Sequence, residues 1–117
     1  MPHGFSVSVT APAVFRLTAR ADRERHLQCA RLLDASDALQ TRDATPQQAG
    51  DALHAAVVRL MQAVALPSGL QELGYGVGDI EAMAASAFTQ KRLIDNAPIV
   101  VSQENIAEIY RNSLKHW

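Results

Sequence analysis

The sequence is poor in cysteine and has no long hydrophobic run. Its single cysteine, Cys29, has no partner for an internal disulfide, which excludes a disulfide-stabilised scaffold. Cys29 lies in a predicted helix among apolar and basic neighbours, and we expect it to be a small buried hydrophobic residue. The longest apolar stretch, residues 55–66, is interrupted by Arg59 and Gln62, so we predict no membrane-spanning segment. The sequence also starts without the basic and apolar regions of a signal peptide, and we expect a cytoplasmic protein.

An excess of charge of one sign is also missing. Lys and Arg number 11, Asp and Glu number 12, and the net charge is −1. The two signs are interspersed, without the basic cluster that a nucleic-acid or anionic-membrane surface requires, and we predict neither as a partner. The 117 residues, 48% of them hydrophobic, suffice for one domain with a core and are too few for two. We therefore predict a single domain over residues 1–117.

Helical spacing recurs along most of the chain. Asp22 is a candidate N-cap, and Leu27, Ala30 and Leu33 fall on one face of the helix that it opens. The segment 35–44 is polar and aperiodic, and we predict a mobile loop there.

The clearest helix signal comes next. Residues 45–48 form a capping box in which Pro46 takes the first helical position, so three local signals predict a helix start. We predict that this helix runs to about Ala65 and that Pro67 stops it. Its core-facing stripe consists of apolar residues three and four apart: Ala49, Leu53, Ala56, Val57, Leu60 and Val64. Leu60, at the centre of the stripe, is expected to be a core leucine.

Three glycines follow at alternate positions, Gly74, Gly76 and Gly78. A dinucleotide-binding fingerprint would need a further glycine at position 79 and a preceding strand, but Asp79 stands there after a helical turn. We interpret Gly74 as a helix C-cap and Gly76 as the next N-cap, and we predict no cofactor-binding residue. Two further helices complete an all-α, compact bundle of about five to six helices. The predicted buried stripe of the first consists of Ile80, Met83, Ala84, Ala87 and Phe88. The second has an N-cap at Ser102, and its predicted buried stripe consists of Ile106, Ile109, Tyr110, Leu114 and Trp117.

The sequence offers no clear catalytic residue. None of its serines lies in a G-x-S-x-G turn, and no Cys–His signature surrounds the cysteine. His26, His54 and His116 form no i, i+4 pair and have no Cys or carboxylate at a ligand-like spacing, so we expect surface or packing roles for them. His3 lies between a proline and a glycine, ahead of an apolar run, so the backbone can orient its imidazole.

Residues 2–15, PHGFSVSVTAPAVF, resemble a segment of a known family. They look like the last metal-ligand segment of the iron-containing alcohol dehydrogenase family, in its hydroxyacid–oxoacid transhydrogenase-like branch. The resemblance extends over nearly the whole chain and continues in order through residues 24–27, 67–70, 73–76, 79–80, 90–93 and 98–117.

The resemblance implies a fold and a metal. Family members have a nucleotide-binding α/β domain followed by an all-helical domain, which holds the metal with one Asp and three His. This chain resembles the end of the helical domain, and only His3 carries over as a metal ligand. The other ligands and the nucleotide-binding domain are expected to lie upstream and outside this chain. The complete enzyme would use iron or zinc and NAD, and none of these is expected to bind stably to this chain alone.

The resemblance also bears on the N-terminal segment. Phe5, Val7 and Val9 alternate as residues of a strand do, whereas Val14 fits a helical stripe better. Because the family has a helix at this place, we predict a helix and expect Pro12 to end or bend it.

Two hypotheses for the function remain. In the first, the chain is the C-terminal helical portion of an iron-containing alcohol dehydrogenase-like oxidoreductase, inactive by itself, whose complete form oxidises a hydroxyacid or alcohol with NAD or a bound oxoacid as acceptor. In the second, it is a non-catalytic remnant that serves as a helical oligomerisation or interaction module. Either way, we expect a homo-oligomer or a complex with a missing nucleotide-binding half, because a half-domain exposes apolar surface. The residues expected to be exposed are Phe5, Val9, Val14 and Phe15.

Overall fold

A computed structural model describes residues 2–33 and 43–117 of the chain. Within these two ranges the regular structure is helical and no strand occurs, which confirms the all-α class. The helices are α1 His3–Thr18, α2 Arg23–Leu33, α3 Pro46–Ala63, α4 Ile80–Phe88, α5 Lys91–Ile94 and α6 Gln103–Asn112, with short 3-10 helices at Leu70–Leu73 and Val77–Asp79. In the same part of the chain, no helix is long and apolar enough to cross a bilayer. The predicted mobile loop at 35–44 lies, up to residue 42, outside the described residues.

Helix α1 confirms the helical prediction for the N-terminal segment and does not end at Pro12. It continues to Thr18, although Pro12 has no N–H with which to satisfy the carbonyl of Ser8. One residue further, the carbonyl of Val9 accepts a hydrogen bond of 2.7 Å from Nε2 of His116. Pro12 itself is fully buried. Burial and this contact with the C-terminal segment therefore stabilise the helix at the turn that proline weakens.

Helix α2 begins as predicted. The Oδ1 of Asp22 accepts the backbone N–H of Arg25 at 3.1 Å, so Asp22 is the N-cap. Leu27 and Ala30 are buried, but Leu33, predicted on the same face, is half exposed. Among the described residues, the buried side chains of α2 therefore lie in its first two turns.

The prediction that Cys29 is buried is wrong, because its side chain is exposed and free. Cys29 lies two positions after the buried Leu27, about 200° around the helix axis. Leu27 and Ala30 face the core, whereas the thiol faces solvent.

Helix α3 confirms the predicted capping box. The Oγ1 of Thr45 accepts the backbone N–H of Gln48 at 3.1 Å, and Oε1 of Gln48 accepts the backbone N–H of Thr45 at 2.8 Å. The expectation that Leu60 is a core leucine is wrong, since both Leu60 and Val64 are exposed. Met61, one position after Leu60, is buried instead. No described helix covers the last two positions of the predicted stripe.

Helices α1 and α3 pack closely and antiparallel. Gly50, near the start of α3, lies so close to the end of α1 that an added Cβ would be 3.0 Å from the Cα of Arg16 and 3.1 Å from the Cβ of Ala19. At the other end, Val9 and Met61 share one apolar cluster. Val9, expected to be exposed, is therefore fully buried.

Helices α4 and α6 form a second part of the core. Ile80 and Ala84 of α4 pack with Ile106 and Ala107 of α6. Ser102 is the N-cap of α6, as predicted, and the structure shows that it forms a reciprocal capping box with Asn105. The two helices thereby form a pair that joins the α1–α3 pair through shared contacts.

The segment after α6 is held against the turn that precedes Leu70. The carbonyl of Ser113 accepts the backbone N–H of Leu70 at 2.8 Å. The Oγ of Ser68 donates to the carbonyl of Trp117 at 2.9 Å and accepts the backbone N–H of the same residue at 3.0 Å. The Trp117 side chain, predicted on the buried stripe of the last helix, lies beyond α6 and is exposed. Gly74 ends the first 3-10 helix at φ 90°, which confirms its predicted C-cap role.

Candidate functional site

His3 is the first residue of α1, and its side chain is exposed. Pro2 precedes it with extended backbone angles of φ −59° and ψ 138°, as expected for the residue before a helix. The hydroxyl of Ser6 donates to the carbonyl of His3 at 2.7 Å, which fixes the backbone of the first turn. The imidazole thus lies at a helix end and outside the core.

The described residues supply one imidazole and not a complete metal centre. Within residues 2–33 and 43–117, no group of three His, Cys, Asp or Glu side chains is close enough to hold a metal ion. Protein-bound iron or zinc needs three or four protein ligands in a closed geometry. His3 could therefore hold a metal only as one member of a ligand set whose other members would lie outside the described residues.

His26 has a structural role, as predicted. Its Nδ1 donates to the carbonyl of Asp22 at 2.7 Å, and its Nε2 is 2.7 Å from the hydroxyl of Thr18. The ring also packs edge-on against Phe15, with 6.3 Å between ring centroids. Both nitrogens are engaged, so the ring joins the end of α1 to the start of α2 and has no coordination site to offer.

His54 and His116 form a pair that the sequence did not reveal. Their rings pack edge to face with centroids 5.4 Å apart, and His116 donates from Nε2 to the carbonyl of Val9. Partial burial, assisted by the positive charge of Arg16 and by His116, lowers the pKa of His54 to about 4, against a smaller opposite effect of Asp51. His54 is therefore neutral near pH 7 and serves in packing.

A polar cleft of about 570 Å³ lies between α1, α3 and α6. Arg16 of α1 and Arg20, two residues beyond its end, line it together with Asp51 of α3 and Glu108 of α6. Arg16 Nε is 2.9 Å from Asp51 Oδ1, and both side chains are about half exposed. Sequence reasoning missed this cleft because its residues belong to three helices that are distant in the chain. Its charges balance, and no nucleophile or metal-ligand set is among the lining residues.

Comparisons with known proteins place these features in a family. The family model described as Fe-containing alcohol dehydrogenase family, C-terminal, matches residues 1–114. The chain is 33% identical over 114 residues to a probable mitochondrial hydroxyacid-oxoacid transhydrogenase of Dictyostelium discoideum. It is 36% identical over 115 residues to the mitochondrial hydroxyacid-oxoacid transhydrogenase of Homo sapiens. The match covers 97% and 98% of this chain, respectively.

The structural comparison agrees. The fold matches a crystal structure of 1,3-propanediol oxidoreductase with a TM-score of 0.80 and 26% identity, over 97% of this chain and 28% of that chain. The chain spans only 20% and 24% of the lengths of the Dictyostelium and human relatives. The resemblance drawn from residues 2–15 is thereby confirmed: the chain belongs to the Fe-containing alcohol dehydrogenase family and corresponds to its C-terminal domain.

Proposed function

We propose that this chain serves as the C-terminal helical part of an iron-dependent oxidoreductase that transfers hydride between a hydroxyacid and an oxoacid. The observation that carries the proposal is the exposed imidazole of His3 at the start of α1, in a segment that matches the family from its first residue. The two transhydrogenases, 33% and 36% identical over nearly the whole chain, favour hydroxyacids over simple alcohols as substrates.

In this proposal His3 supplies one metal ligand. A bound divalent metal would polarise the oxygen of the reacting alcohol or carbonyl group. The helix end orients the imidazole, while the remaining ligands and the NAD site come from polypeptide beyond these 117 residues. We place the NAD site outside the described helices because they offer no glycine-rich loop between a strand and a helix.

The isolated chain should accordingly be inactive. We expect elemental analysis of the purified chain to find no stoichiometric iron or zinc, and calorimetric titration to find no binding of NADH. One bound metal ion per chain, lost on His3→Ala, would show that the ligand set is complete here. The cytoplasmic location expected from the sequence remains a prediction, whereas both transhydrogenase relatives are named as mitochondrial.

A chimera tests the proposal directly. In it, this chain replaces the matching segment of the human transhydrogenase, and iron content and hydride transfer from a hydroxyacid to an oxoacid are measured. We expect a metal-loaded, active chimera that loses at least about tenfold of both on His3→Ala. His54→Gln is the matched control, because it removes an imidazole that has only a packing role. An active chimera with unchanged metal content after His3→Ala would contradict the proposal, and an inactive, metal-free parent chimera would favour a non-catalytic interaction module.

A further inference from the structure

The polar cleft between α1, α3 and α6 has an apolar floor. Among its lining residues, Ala13 and Leu17 are buried and Ile109 is half-buried. Its volume of about 570 Å³ lies within the range of ligand sites, roughly 300–1,000 Å³. At about 30 Å³ for each water in the liquid, the cleft has room for roughly 20 waters, or for a molecule the size of an amino acid or a dipeptide. The cleft therefore has the size and the floor of a small-molecule site.

The cleft is distant from the residue proposed as a metal ligand. Arg16 lines the cleft, and His3 begins the same helix. At about 1.5 Å for each residue, the axis of α1 rises by about 20 Å from His3 to Arg16. A small molecule in the cleft therefore does not reach His3, and its binding does not depend on the proposed function.

Four charged side chains line the cleft, and two of them neutralise each other. Arg16 and Asp51 form the ion pair of 2.9 Å described above. Arg20 and Glu108 make no ion pair with any described residue, although both line the same cleft. Their charges are opposite, but they lie too far apart to pair with each other. The cleft thus offers a ligand one unpaired cationic group and one unpaired anionic group.

Carboxamide groups supply the other polar atoms of the cleft. The side chains of Gln47 and Asn112 make no hydrogen bond within the part of the chain that the structure describes. Asn105 accepts the backbone N–H of Ser102 through Oδ1, and its Nδ2 keeps its donors available. A carboxamide nitrogen donates to a carboxylate, and a carboxamide oxygen accepts from an ammonium group. These side chains can therefore satisfy either end of a ligand that carries both charges.

We propose that the cleft binds a small zwitterion, a free amino acid or a dipeptide with apolar side chains, whose carboxylate pairs with Arg20 and whose ammonium group pairs with Glu108. A guanidinium holds a carboxylate through two parallel hydrogen bonds, and the carboxylate of Glu108 accepts hydrogen bonds from an ammonium group. The ligand bridges two charges that do not reach each other, and its apolar side chain lies on the floor. A simple anion fits less well because Glu108 repels it, and a simple cation fits less well because Arg20 repels it.

The first test measures whether both charges of the ligand are needed. Leucine and leucylleucine are titrated into the 117-residue chain, and binding is followed by NMR chemical shifts. Each zwitterion has two matched controls, its amide, which lacks the carboxylate, and its N-acetyl derivative, which lacks the charged amino group. We expect at least one zwitterion to bind with a Kd of about 1 mM or lower, and both of its controls to bind at least about tenfold more weakly.

The outcome of this titration also identifies the ligand. The tighter of the two zwitterions shows whether the cleft takes a free amino acid or a dipeptide. If both Kd values exceed about 1 mM, or if removal of either charge weakens binding by less than about tenfold, the proposal is wrong.

The second test assigns the two protein charges. Arg20→Gln should weaken the binding of the zwitterion by at least about tenfold and leave that of its amide unchanged, because the amide has no carboxylate to pair. Glu108→Gln should weaken the zwitterion to the same degree and leave the N-acetyl derivative unchanged. Arg92→Gln and Glu72→Gln are the matched controls, since both side chains are exposed and lie outside the cleft. Variants in the cleft that bind like the controls, or that weaken every ligand equally, would overturn the proposal.

A third variant separates this proposal from the proposed function. His3→Ala should leave the binding of the zwitterion unchanged, whatever it does to the metal content of the chimera. Circular dichroism at 222 nm checks that each variant keeps its helices. If His3→Ala abolished zwitterion binding in a folded chain while Arg20→Gln did not, the ligand would lie at the other end of α1 and the cleft would not be its site.

Discussion

Replacing Gly69 by alanine should detach the segment after α6 from the body of the domain. A Cβ at Gly69 would lie 2.5 Å from the carbonyl oxygens of both Ser113 and Leu114. Both obstacles are backbone atoms, so no side-chain rotation can relieve the clash. The φ of Gly69 is 175°, which is extended backbone that alanine also adopts, and the whole cost is therefore steric.

The clash breaks the hydrogen bonds that hold this segment. The backbone N–H groups of Leu70 and Gln71 donate to Ser113 and Leu114 at 2.8 and 3.1 Å, and the bonds of the Ser68 hydroxyl depend on the same alignment. The two backbone bonds and the two bonds of the Ser68 hydroxyl contribute about 1 kcal/mol each, so we expect Gly69→Ala to lower the free energy of unfolding by about 4 kcal/mol.

Urea denaturation followed by circular dichroism at 222 nm measures this loss. Gly78→Ala is the matched control, because no heavy atom lies within 4 Å of its added Cβ and its φ is not positive. The control should raise the free energy of unfolding by less than about 1 kcal/mol, because alanine reduces the conformational entropy of the unfolded chain. If Gly69→Ala were as mild as Gly78→Ala, the close contact between the two segments would not exist in solution.

Three further predictions follow from burial and charge. In urea denaturation of the isolated chain, Met61→Ala should lower the free energy of unfolding by about 2–4 kcal/mol and Leu60→Ala by less than about 1 kcal/mol. The opposite order would show that our assignment of the buried face of α3 is wrong. His54 has a pKa of about 4 in the fold and an ordinary value of 6.5, so the unfolded state binds the proton first as the pH falls. The free energy of unfolding should therefore fall by about 1–2 kcal/mol between pH 6.5 and pH 4, after allowance for solvent screening. His54→Gln should abolish this share of the pH dependence. Cys29 should react with a thiol reagent in the folded chain within about threefold of its rate in urea, and strong protection would place it in the core.

Local sequence signals predicted several caps correctly, although Pro12 does not end α1. The capping boxes that begin at Thr45 and Ser102 join residues three positions apart, so their hydrogen bonds could be predicted from neighbouring letters alone. The left-handed conformation at Gly74 follows in the same way from the absence of a Cβ. The resemblance supplied the family, the helical class and the ligand role proposed for His3.

Contacts between distant parts of the chain could not be predicted in this way. Periodicity gave the correct face of α3 but not the length over which a neighbouring helix covers it, and Leu60 was therefore placed in the core. Cys29 lies among apolar and basic residues, yet its angular position on α2 turns it to solvent. The pairing of His54 with His116 depends on how α3 and the C-terminal segment come together, which no local pattern encodes.

The hydrogen bond between Val9 and His116 makes the folding of this domain depend on both of its ends. It closes a loop of nearly the whole chain, and closing so long a loop lowers the conformational entropy of the chain. We therefore expect this hydrogen bond to form late in folding. Once formed, it links the proline-weakened turn of α1 to the segment after α6. In native-state hydrogen exchange, the amides of α1 near Pro12 and those of Leu70 and Gln71 should therefore open as one cooperative unit with a common free energy.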